Sequence, residues 1–180
     1  MEKYRTQVGR DGAASVLGVD PSPKMLAIGR VKVALAALST RVELRDGDAT
    51  SLADLEDASF DKISMSFGIR NVPEFALVLR EMRRVAASNA TLAILEFCEP
   101  ETGPLAPLAR LFIRHVVPRL GALVSGAKWS EYQHLQRSIA AFPPPTAFAQ
   151  HVRDAGFEVE PVRFLGFGAV ALYVAKPRTE

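Results

Sequence analysis

Strand-like and helix-like segments alternate along this chain of 180 residues. Four short segments have the length and pattern of strands, and the segments between them carry apolar residues three or four positions apart, as helices do. The four strand-like segments are residues 14–19, 41–45, 60–67 and 90–97. Two more, residues 157–164 and 169–174, flank a short loop with Gly166 and Gly168, which predicts an antiparallel hairpin. The pattern predicts one α/β domain over residues 1–180, a parallel sheet covered by helices and finished by this hairpin.

Two of the predicted helices have a clear apolar face. Ser22 can cap the first helix, with Pro23 in its first turn. We expect the buried face of this helix to be Ile28, Val31, Leu35 and Leu38. The second helix is predicted from Phe75, Val78, Leu79, Met82 and Val85. The run at residues 90–97 is apolar almost throughout, so we expect both faces of that strand to be buried.

The composition argues against several classes of protein. The formal net charge of +2 is too small to indicate nucleic-acid binding, and no basic stripe is interleaved with aromatic residues. The single cysteine, Cys98, excludes an internal disulfide and a multi-cysteine metal site. His115, His134 and His151 are not at ligand spacing on one helix, so we expect no metal. No G-x-G-x-x-G motif occurs, which argues against a dinucleotide oxidoreductase.

Carboxylates follow two of the predicted strands. In open α/β sheets, ligands bind outside the carboxyl ends of the strands. Asp20 is placed there to accept hydrogen bonds from both hydroxyls of a ribose. Asp48 could accept from an adenine amino group, while the backbone N–H of Ala49 donates to a ring nitrogen. Each aspartate alone could instead be a turn or capping residue, and the pair is more persuasive than either one.

The third strand leads into the motif SMSFGIRNV at residues 64–72. Together with LEF at residues 95–97, HVVPRLG at residues 115–121 and SI at residues 138–139, this motif resembles the ubiquinone/menaquinone biosynthesis C-methyltransferase family. The resemblance extends in order from about Tyr4 to Pro177. It implies a class I S-adenosylmethionine-dependent methyltransferase with a Rossmann-like sheet. The implied reaction is transfer of a methyl group from S-adenosylmethionine to a ring carbon of a polyprenyl quinol.

The resemblance also implies roles for individual residues. Asp20, Asp48, Ala49 and Ser66 match cofactor-binding positions of the family. Arg70 and Asn71 match positions on the substrate side of the same strand end, and Tyr132 matches a tyrosine that approaches the quinol ring.

A phenolic ring carbon becomes nucleophilic when the neighbouring hydroxyl loses its proton. Arg70 stays protonated, so it could stabilise the phenolate or orient a water that takes the proton. Glu96, at the end of an apolar strand, is a candidate base if burial raises its pKa. The structural alternative for Arg70 is a salt bridge to a nearby carboxylate. The alternative for Glu96 is a carboxylate bonded to backbone N–H groups.

Residues 99–146 are predicted to form an insertion that faces the substrate or the membrane. Within it, residues 105–124 are very apolar yet contain three arginines, so they should not span a bilayer. They could lie on an anionic membrane or line a tunnel for an isoprenoid tail. The alternative is a buried helix whose arginines extend to solvent. The implied setting is peripheral to a membrane, in the cytoplasm or on the mitochondrial matrix side, as a homodimer or within a quinone-biosynthesis complex.

No glycine-rich strand–loop precedes the strand that ends at Asp20. The family uses such a loop to hold the methionine end of the cofactor. We therefore expect an N-terminally truncated domain that begins inside the first helix, lacks its first, central strand, and leaves two interior edges unpaired. Such a chain should bind S-adenosylmethionine weakly or not at all. Two other interpretations stay open: a non-catalytic methyltransferase-like fragment or subunit acting as a binding or assembly partner, and a methyltransferase for another phenolic molecule.

Overall fold

The computed structural model describes residues 3–8, 14–99 and 129–179, without the side chains of residues 3–8, 14, 129–134 and 167. Within these ranges the chain is a mixed α/β structure with one sheet. Its strands are β1 Lys3–Val8, β2 Ala14–Asp20, β3 Val42–Asp46, β4 Phe60–Ser66, β5 Ala86–Phe97, β6 Phe157–Val159, β7 Arg163–Leu165 and β8 Val170–Pro177. Its α-helices are α1 Pro23–Leu35, α2 Phe75–Val85, α3 Trp129–Ala141 and α4 Pro145–Asp154. Two 3-10 helices, Ile69–Asn71 and Gly166–Gly168, connect strands to their neighbours.

The strand order is β3-β2-β1-β4-β5-β8-β6, with β7 also paired to β8. β2 and β3 are parallel, β4 and β5 are parallel, and β8 is antiparallel to β5, β6 and β7. The predicted α/β sheet with an antiparallel hairpin at its end is therefore confirmed. The run at residues 157–164 forms two short strands instead of one. Pro161 interrupts it because proline has no N–H to donate to β8.

The centre of the sheet differs from the prediction. β1 lies between β2 and β4 and pairs antiparallel with both, so that Tyr4 stands in register with Gly18 and with Ser64. The expected missing central strand, with its two unpaired interior edges, is not confirmed, because Lys3–Val8 fills that position. The expectation that the chain begins inside a helix is wrong for the same residues. An unfilled gap would leave backbone N–H and C=O groups without partners, which the added pairing avoids.

One face of the sheet carries the main core. The apolar stripe of α2 is buried against it as predicted, with Val78, Leu79 and Met82 fully enclosed. α4 adds Phe148 and Val152, and the ring of Phe148 contacts that of Tyr173 on β8 at 4.9 Å. The strands contribute a matching set of buried side chains: Leu17, Val19, Ile63, Met65, Leu92, Ile94, Ala171 and Ala175. Alternate strand residues share a face, so this set fixes the register of the central strands.

Two predictions about burial are wrong. β5 is buried on one face only: Leu92 and Ile94 are enclosed, whereas Ala93 and Leu95 on the opposite face remain partly exposed. On α1, the predicted buried residues are exposed, with Ile28, Val31, Leu35 and Leu38 at 51%, 59%, 84% and 42%. The helix instead turns Leu26 and Gly29 inward as it packs on β2 and β3. Apolar periodicity predicts which face of a helix is apolar, but it does not predict whether the sheet or another helix packs on that face.

The predicted insertion at residues 99–146 lies only partly within the described ranges. Residues 100–128, including the apolar run at residues 105–124, lie outside them. α3 covers residues 129–141, and the next helix, α4, begins at Pro145, in the first turn where proline is tolerated. Among the helices of the described ranges, none combines the length and apolar character needed to cross a membrane.

Candidate functional site

The carboxyl ends of β2, β3, β4 and β5 lie along one edge of the sheet. β2 and β4 both run antiparallel to β1, so they are parallel to each other. β3 is parallel to β2 and β5 is parallel to β4. This edge therefore carries Asp20, the turn after Asp46, Ser66 and Glu96. The topology brings the predicted cofactor and substrate residues to the same edge, as ligand sites of open α/β sheets require.

Asp20 lies at the carboxyl end of β2 and is 2% exposed. Its Oδ1 accepts a hydrogen bond from the backbone N–H of Ser22 at 2.8 Å. Ser22 in turn caps α1, where its Oγ accepts from the backbone N–H of Met25 at 3.4 Å. One oxygen of Asp20 thus serves the turn that leads into α1, which was the structural alternative for this residue. Its predicted contact with a ribose is compatible with this bond and stays a prediction.

A close backbone approach sets the turn after β3 beside β2. A Cβ atom at Gly47 would lie 2.9 Å from Cγ1 of Val19, so a larger residue here would require Val19 or the backbone to shift. The parallel register pairs Asp20 with Asp46, and Asp48 follows two residues later. The missing side chain at Gly47 therefore lets the Asp48 turn pack directly against the strand that carries Asp20.

Asp48 is exposed, and its Oδ1 accepts from the backbone N–H of Thr50 at 2.8 Å. This bond favours the charged form and lowers the pKa of Asp48 below its ordinary value. A hydrogen bond from the side chain of Thr50 acts on Asp48 in the same direction. Ala49, the neighbouring predicted cofactor residue, is partly buried and packs against the core. The turn therefore presents a charged carboxylate at the sheet edge.

A cluster that the sequence did not reveal fastens the loop after Asp48 to α2. Arg84 donates to the carbonyl oxygens of Leu52 at 2.7 Å and of Leu55 at 2.8 Å. Glu81 accepts from Arg84 and from the backbone N–H of Leu52, the latter at 2.7 Å. Hydrogen bonds to Glu81 and Asp57 raise the pKa of Arg84, which stays charged. The only available signal was that Arg84 lies off the apolar stripe of α2.

Arg70 and Glu96 form a buried ion pair at the carboxyl ends of β4 and β5. Nη1 of Arg70 lies 2.6 Å from Oε1 of Glu96, and the two side chains are 9% and 1% exposed. Glu96 also accepts from the backbone N–H of Phe97 at 2.8 Å and from that of Arg70 at 3.3 Å. Nε of Arg70 donates to Oγ of Ser138 on α3 at 3.3 Å. One arginine thus joins the motif after β4 to the end of β5 and to α3.

This ion pair bears on both predicted roles. It is the salt bridge that stood as the structural alternative for Arg70, and the backbone bonds are the alternative for Glu96. Glu96 is engaged by one guanidinium and two backbone N–H groups, and this geometry fixes the position of the Arg70 cation at the sheet edge. The substrate role of Arg70 and the base role of Glu96 stay predictions.

The backbone turns sharply where β4 ends. Phe67 has a φ of 53°, the left-handed region, which costs a non-glycine residue about 1–2 kcal/mol. Its ring lies 4.5 Å from the ring of Phe97, centroid to centroid, with 32° between the planes. Cζ of Arg70 lies 5.3 Å from the centroid of Phe97. The strained turn thus places an aromatic pair beside the ion pair, and no sequence signal predicted it.

The other predicted site residues are distributed around this edge. Ser66, the last residue of β4, and Asn71, in the 3-10 helix that follows, are both exposed. Tyr132 belongs to α3, but its side chain lies outside the part of the chain that the structure describes. Ser138 reaches the site through Arg70, although the sequence offered it only as part of a resemblance. Within the described ranges, no three His, Cys, Asp or Glu side chains are grouped to hold a metal ion.

Comparison with known proteins identifies the family. Residues 3–176 match the ubiE/COQ5 methyltransferase family. The chain belongs to this family. It is 40% identical over 163 residues to a demethylmenaquinone methyltransferase of Deinococcus radiodurans, an alignment that covers 91% of this chain and 66% of the relative. It is 43% identical over 154 residues to the ubiquinone/menaquinone biosynthesis C-methyltransferase UbiE of Bradyrhizobium diazoefficiens, covering 86% of this chain and 60% of the relative.

Solved structures support the same fold. The [4+2]-cyclase SpnF superposes with a TM-score of 0.69 at 18% identity, over 95% of this chain and 70% of that one. A SAM-dependent methyltransferase from Aquifex aeolicus superposes with a TM-score of 0.59 at 21% identity, over 88% and 66%. These identities are too low to carry function across, and a cyclase shares the fold. The chain spans less than two thirds of the length of the two curated relatives described above.

Proposed function

We propose that this protein carries out S-adenosylmethionine-dependent C-methylation of a polyprenyl benzoquinol or naphthoquinol in ubiquinone or menaquinone biosynthesis. Family membership and the names of the relatives support this activity. The observation that carries the proposal is the fixed cation at the sheet edge. Arg70 is held by Glu96 beside the strand ends that carry Asp20 and Asp48. The carboxylates of Asp20 and Asp48 and the guanidinium of Arg70 lie along one edge of the sheet, and this shared location supports the proposal.

The residues present fit the nucleoside end of S-adenosylmethionine. Asp20 and Ser66 would hold the ribose side, and Asp48 with the backbone N–H of Ala49 would hold the adenine. The exposed, charged carboxylate of Asp48 is the kind of acceptor that an adenine amino group requires. For the amino-acid end, the described residues offer no glycine-rich loop at this edge. β1 is antiparallel to β2, so the carboxyl end of β1 lies at the edge of the sheet opposite to Asp20.

The chemistry required of the protein is modest. Bound S-adenosylmethionine supplies an electrophilic methyl group. Arg70 stabilises the negative charge on the phenolic oxygen while the neighbouring ring carbon attacks, as donors aimed at developing charge do. Asn71, exposed on the 3-10 helix, orients the ring through a hydrogen bond. Tyr132, which matches a family tyrosine position, would contribute to the same ring site. A water bound by Arg70 takes the phenolic proton, since Glu96 is already engaged by three donors.

A lipid substrate also implies a setting. The apolar run at residues 105–124 carries three arginines and serves the isoprenoid tail or an anionic bilayer surface. The protein then acts peripherally at a membrane, in the cytoplasm or on the mitochondrial matrix side. A homodimer or a quinone-biosynthesis complex would bring the tail from one enzyme to the next.

The proposal is tested by transfer of a labelled methyl group from S-adenosylmethionine to a short-tail quinol. The 180-residue chain is compared with a chimera that carries the N-terminal part of the Deinococcus radiodurans relative ahead of Ala14. In whichever of these two proteins transfers the methyl group, Arg70→Ala should lower turnover about 10²–10³-fold with little change in the affinity for S-adenosylmethionine. Arg70→Lys should restore only part of the turnover, because lysine keeps the positive charge but lacks the planar guanidinium. Absence of transfer by both proteins would contradict the proposed activity.

The cofactor assignments have their own test. Asp20→Ala should weaken binding of S-adenosylmethionine more than Asp48→Ala, because Asp20 would contact two ribose hydroxyls and Asp48 one adenine group. Calorimetry on the form that transfers methyl groups makes the comparison. Wild-type affinity in the Asp20 variant would remove that residue from the cofactor site.

A second candidate function is a non-catalytic methyltransferase-like subunit that acts as a binding or assembly partner. The antiparallel β1 favours it, because this strand fills the central position without leading into a loop at the cofactor edge. This candidate predicts that the 180-residue chain fails to bind S-adenosylmethionine by calorimetry while it remains folded. Micromolar binding would exclude it in favour of the enzyme. If the protein methylates simple phenols better than quinols, its substrate would be another phenolic molecule and not a polyprenyl quinol.

A further inference from the structure

We infer that the ring of Phe67 is the surface on which the aromatic head group of the substrate packs. This inference rests on the proposed function and deepens it, since it names the side chain that recognises a flat ring. The observations are the backbone conformation of Phe67, its contact with Phe97 and the position of both beside Arg70.

The backbone of Phe67 is the first argument. In the described part of the chain, three non-glycine residues have a positive φ: Ala37, Ala58 and Phe67. Ala37 and Ala58 lie in connecting turns, where a small side chain meets little. Phe67 lies at the edge that carries Asp20 and Arg70, and it is the large one of the three. Strained residues of this kind cluster at ligand sites, where the surrounding structure holds them in place.

The contacts around Phe97 decide which ring is available. Phe97 already packs against the ring of Phe67 at 4.5 Å and lies under the Arg70 guanidinium at 5.3 Å. Its backbone N–H is also committed to Glu96. Phe97 is therefore already in contact with both Phe67 and Arg70, and it supports the ring of Phe67. Both rings are partly exposed, but among the described residues only Phe97 has a guanidinium over it, so the ring of Phe67 is the one left to accept another ring.

The chemistry of a quinol matches this surface. A flat aromatic ring packs on phenylalanine in an offset or edge-to-face arrangement, with centroids 4.5–7 Å apart. A phenolic oxygen on that ring would then lie near Arg70, the cation that the proposed reaction requires. An isoprenoid chain has no aromatic ring and gains no such arrangement. Phe67 should therefore discriminate the ring of the substrate from its tail.

The experiment measures ligand binding, so that it does not depend on turnover. Calorimetry compares a naphthoquinone bearing one isoprene unit with an isoprenoid alcohol that has no ring. Phe67→Gly removes the ring and accommodates the positive φ, whereas Phe67→Tyr retains the ring. We expect Phe67→Gly to bind the naphthoquinone about tenfold more weakly, Phe67→Tyr to stay within about twofold of wild type, and the alcohol to bind all three equally.

Ala58→Gly is the matched control, because it relieves the same backbone conformation away from the site. It should leave naphthoquinone binding unchanged. Equal binding of the naphthoquinone by wild type and Phe67→Gly would overturn the inference, as would a wild-type chain that binds no naphthoquinone at all. Equal losses for naphthoquinone and alcohol would also overturn it, since Phe67 would then contact the tail. Binding with the expected pattern but without methyl transfer would overturn the proposed function alone.

Discussion

Glu96→Ala tests whether the buried ion pair is the main stabilising contact between the motif after β4 and the end of β5. The substitution removes an acceptor that receives three donors, at 2.6, 2.8 and 3.3 Å. It leaves the guanidinium of Arg70, whose side chain is 9% exposed, without its carboxylate. Removing one partner of a buried pair typically costs about 3–5 kcal/mol. For a chain of this length that corresponds to a fall in unfolding temperature of roughly 6–20 °C.

Two further variants make the argument quantitative. Glu96→Gln keeps the shape and one acceptor oxygen but loses the charge, so it should cost about 1–2 kcal/mol. The double variant of Glu96→Ala with Arg70→Ala should cost less than the sum of the single variants by about 1.5–3 kcal/mol, because it leaves no unpaired charge. Urea unfolding followed by circular dichroism measures all of these free energies.

The surface pair of Arg163 and Glu160 is the control. Its atoms lie 3.3 Å apart, and its side chains are 65% and 43% exposed. Glu160→Ala should therefore change the free energy of unfolding by less than about 1 kcal/mol. A cost below about 1 kcal/mol for Glu96→Ala, or strict additivity with Arg70→Ala, would refute the reasoning. The two side chains would then be independent of each other in solution.

Three other variants examine close contacts, loop anchoring and backbone strain elsewhere in the chain. Gly47→Ala should destabilise the chain by about 1–3 kcal/mol, because the new Cβ would lie 2.9 Å from Cγ1 of Val19; thermal unfolding checks this, and wild-type stability would exclude the close approach. Arg84→Ala should speed hydrogen exchange at the amide of Leu52, since the loop loses its link to α2; unchanged exchange would show that Glu81 alone holds it. Ala37→Gly should stabilise the chain by about 0.5–1 kcal/mol in urea unfolding, because it relieves a φ of 54°; a loss of stability would contradict that account.

Local patterns in the sequence predicted the elements that depend on local physics. The stripe of α2 is buried as expected, since Val78 and Met82 face the sheet one turn apart. Ser22 caps α1, because a hydroxyl before a proline-led helix satisfies a free backbone N–H. The carboxyl-edge location of Asp20 and Asp48 follows from strand order alone. These features need only neighbours along the chain or the general rule for parallel sheets.

Features that depend on distant partners could not be predicted. The stripe on α1 has the same periodicity as the stripe on α2, yet Val31 and Leu35 are 59% and 84% exposed. Nothing local tells a helix which of its faces will meet the sheet. β1 lies at the centre of the sheet because its backbone pairs with β2 and β4, although its sequence has no strong apolar alternation. Arg84 finds its carbonyl partners about 30 residues away, with separations of 29 and 32.

The pairing of Arg70 with Glu96, 26 residues apart, changes how a loss of activity at either residue must be interpreted. Arg70→Ala removes a cation that could stabilise a phenolate, but it also leaves a buried carboxylate with only backbone donors. Reduced turnover could then arise from a displaced strand end instead of a lost substrate contact. Glu96→Gln separates the two causes, because it loosens the same strand end while the charge on Arg70 persists. If Arg70 acts on the substrate, Arg70→Ala must lower turnover far more than Glu96→Gln at matched stability. Equal losses would mean that the pair serves only to hold β4 and β5 in place.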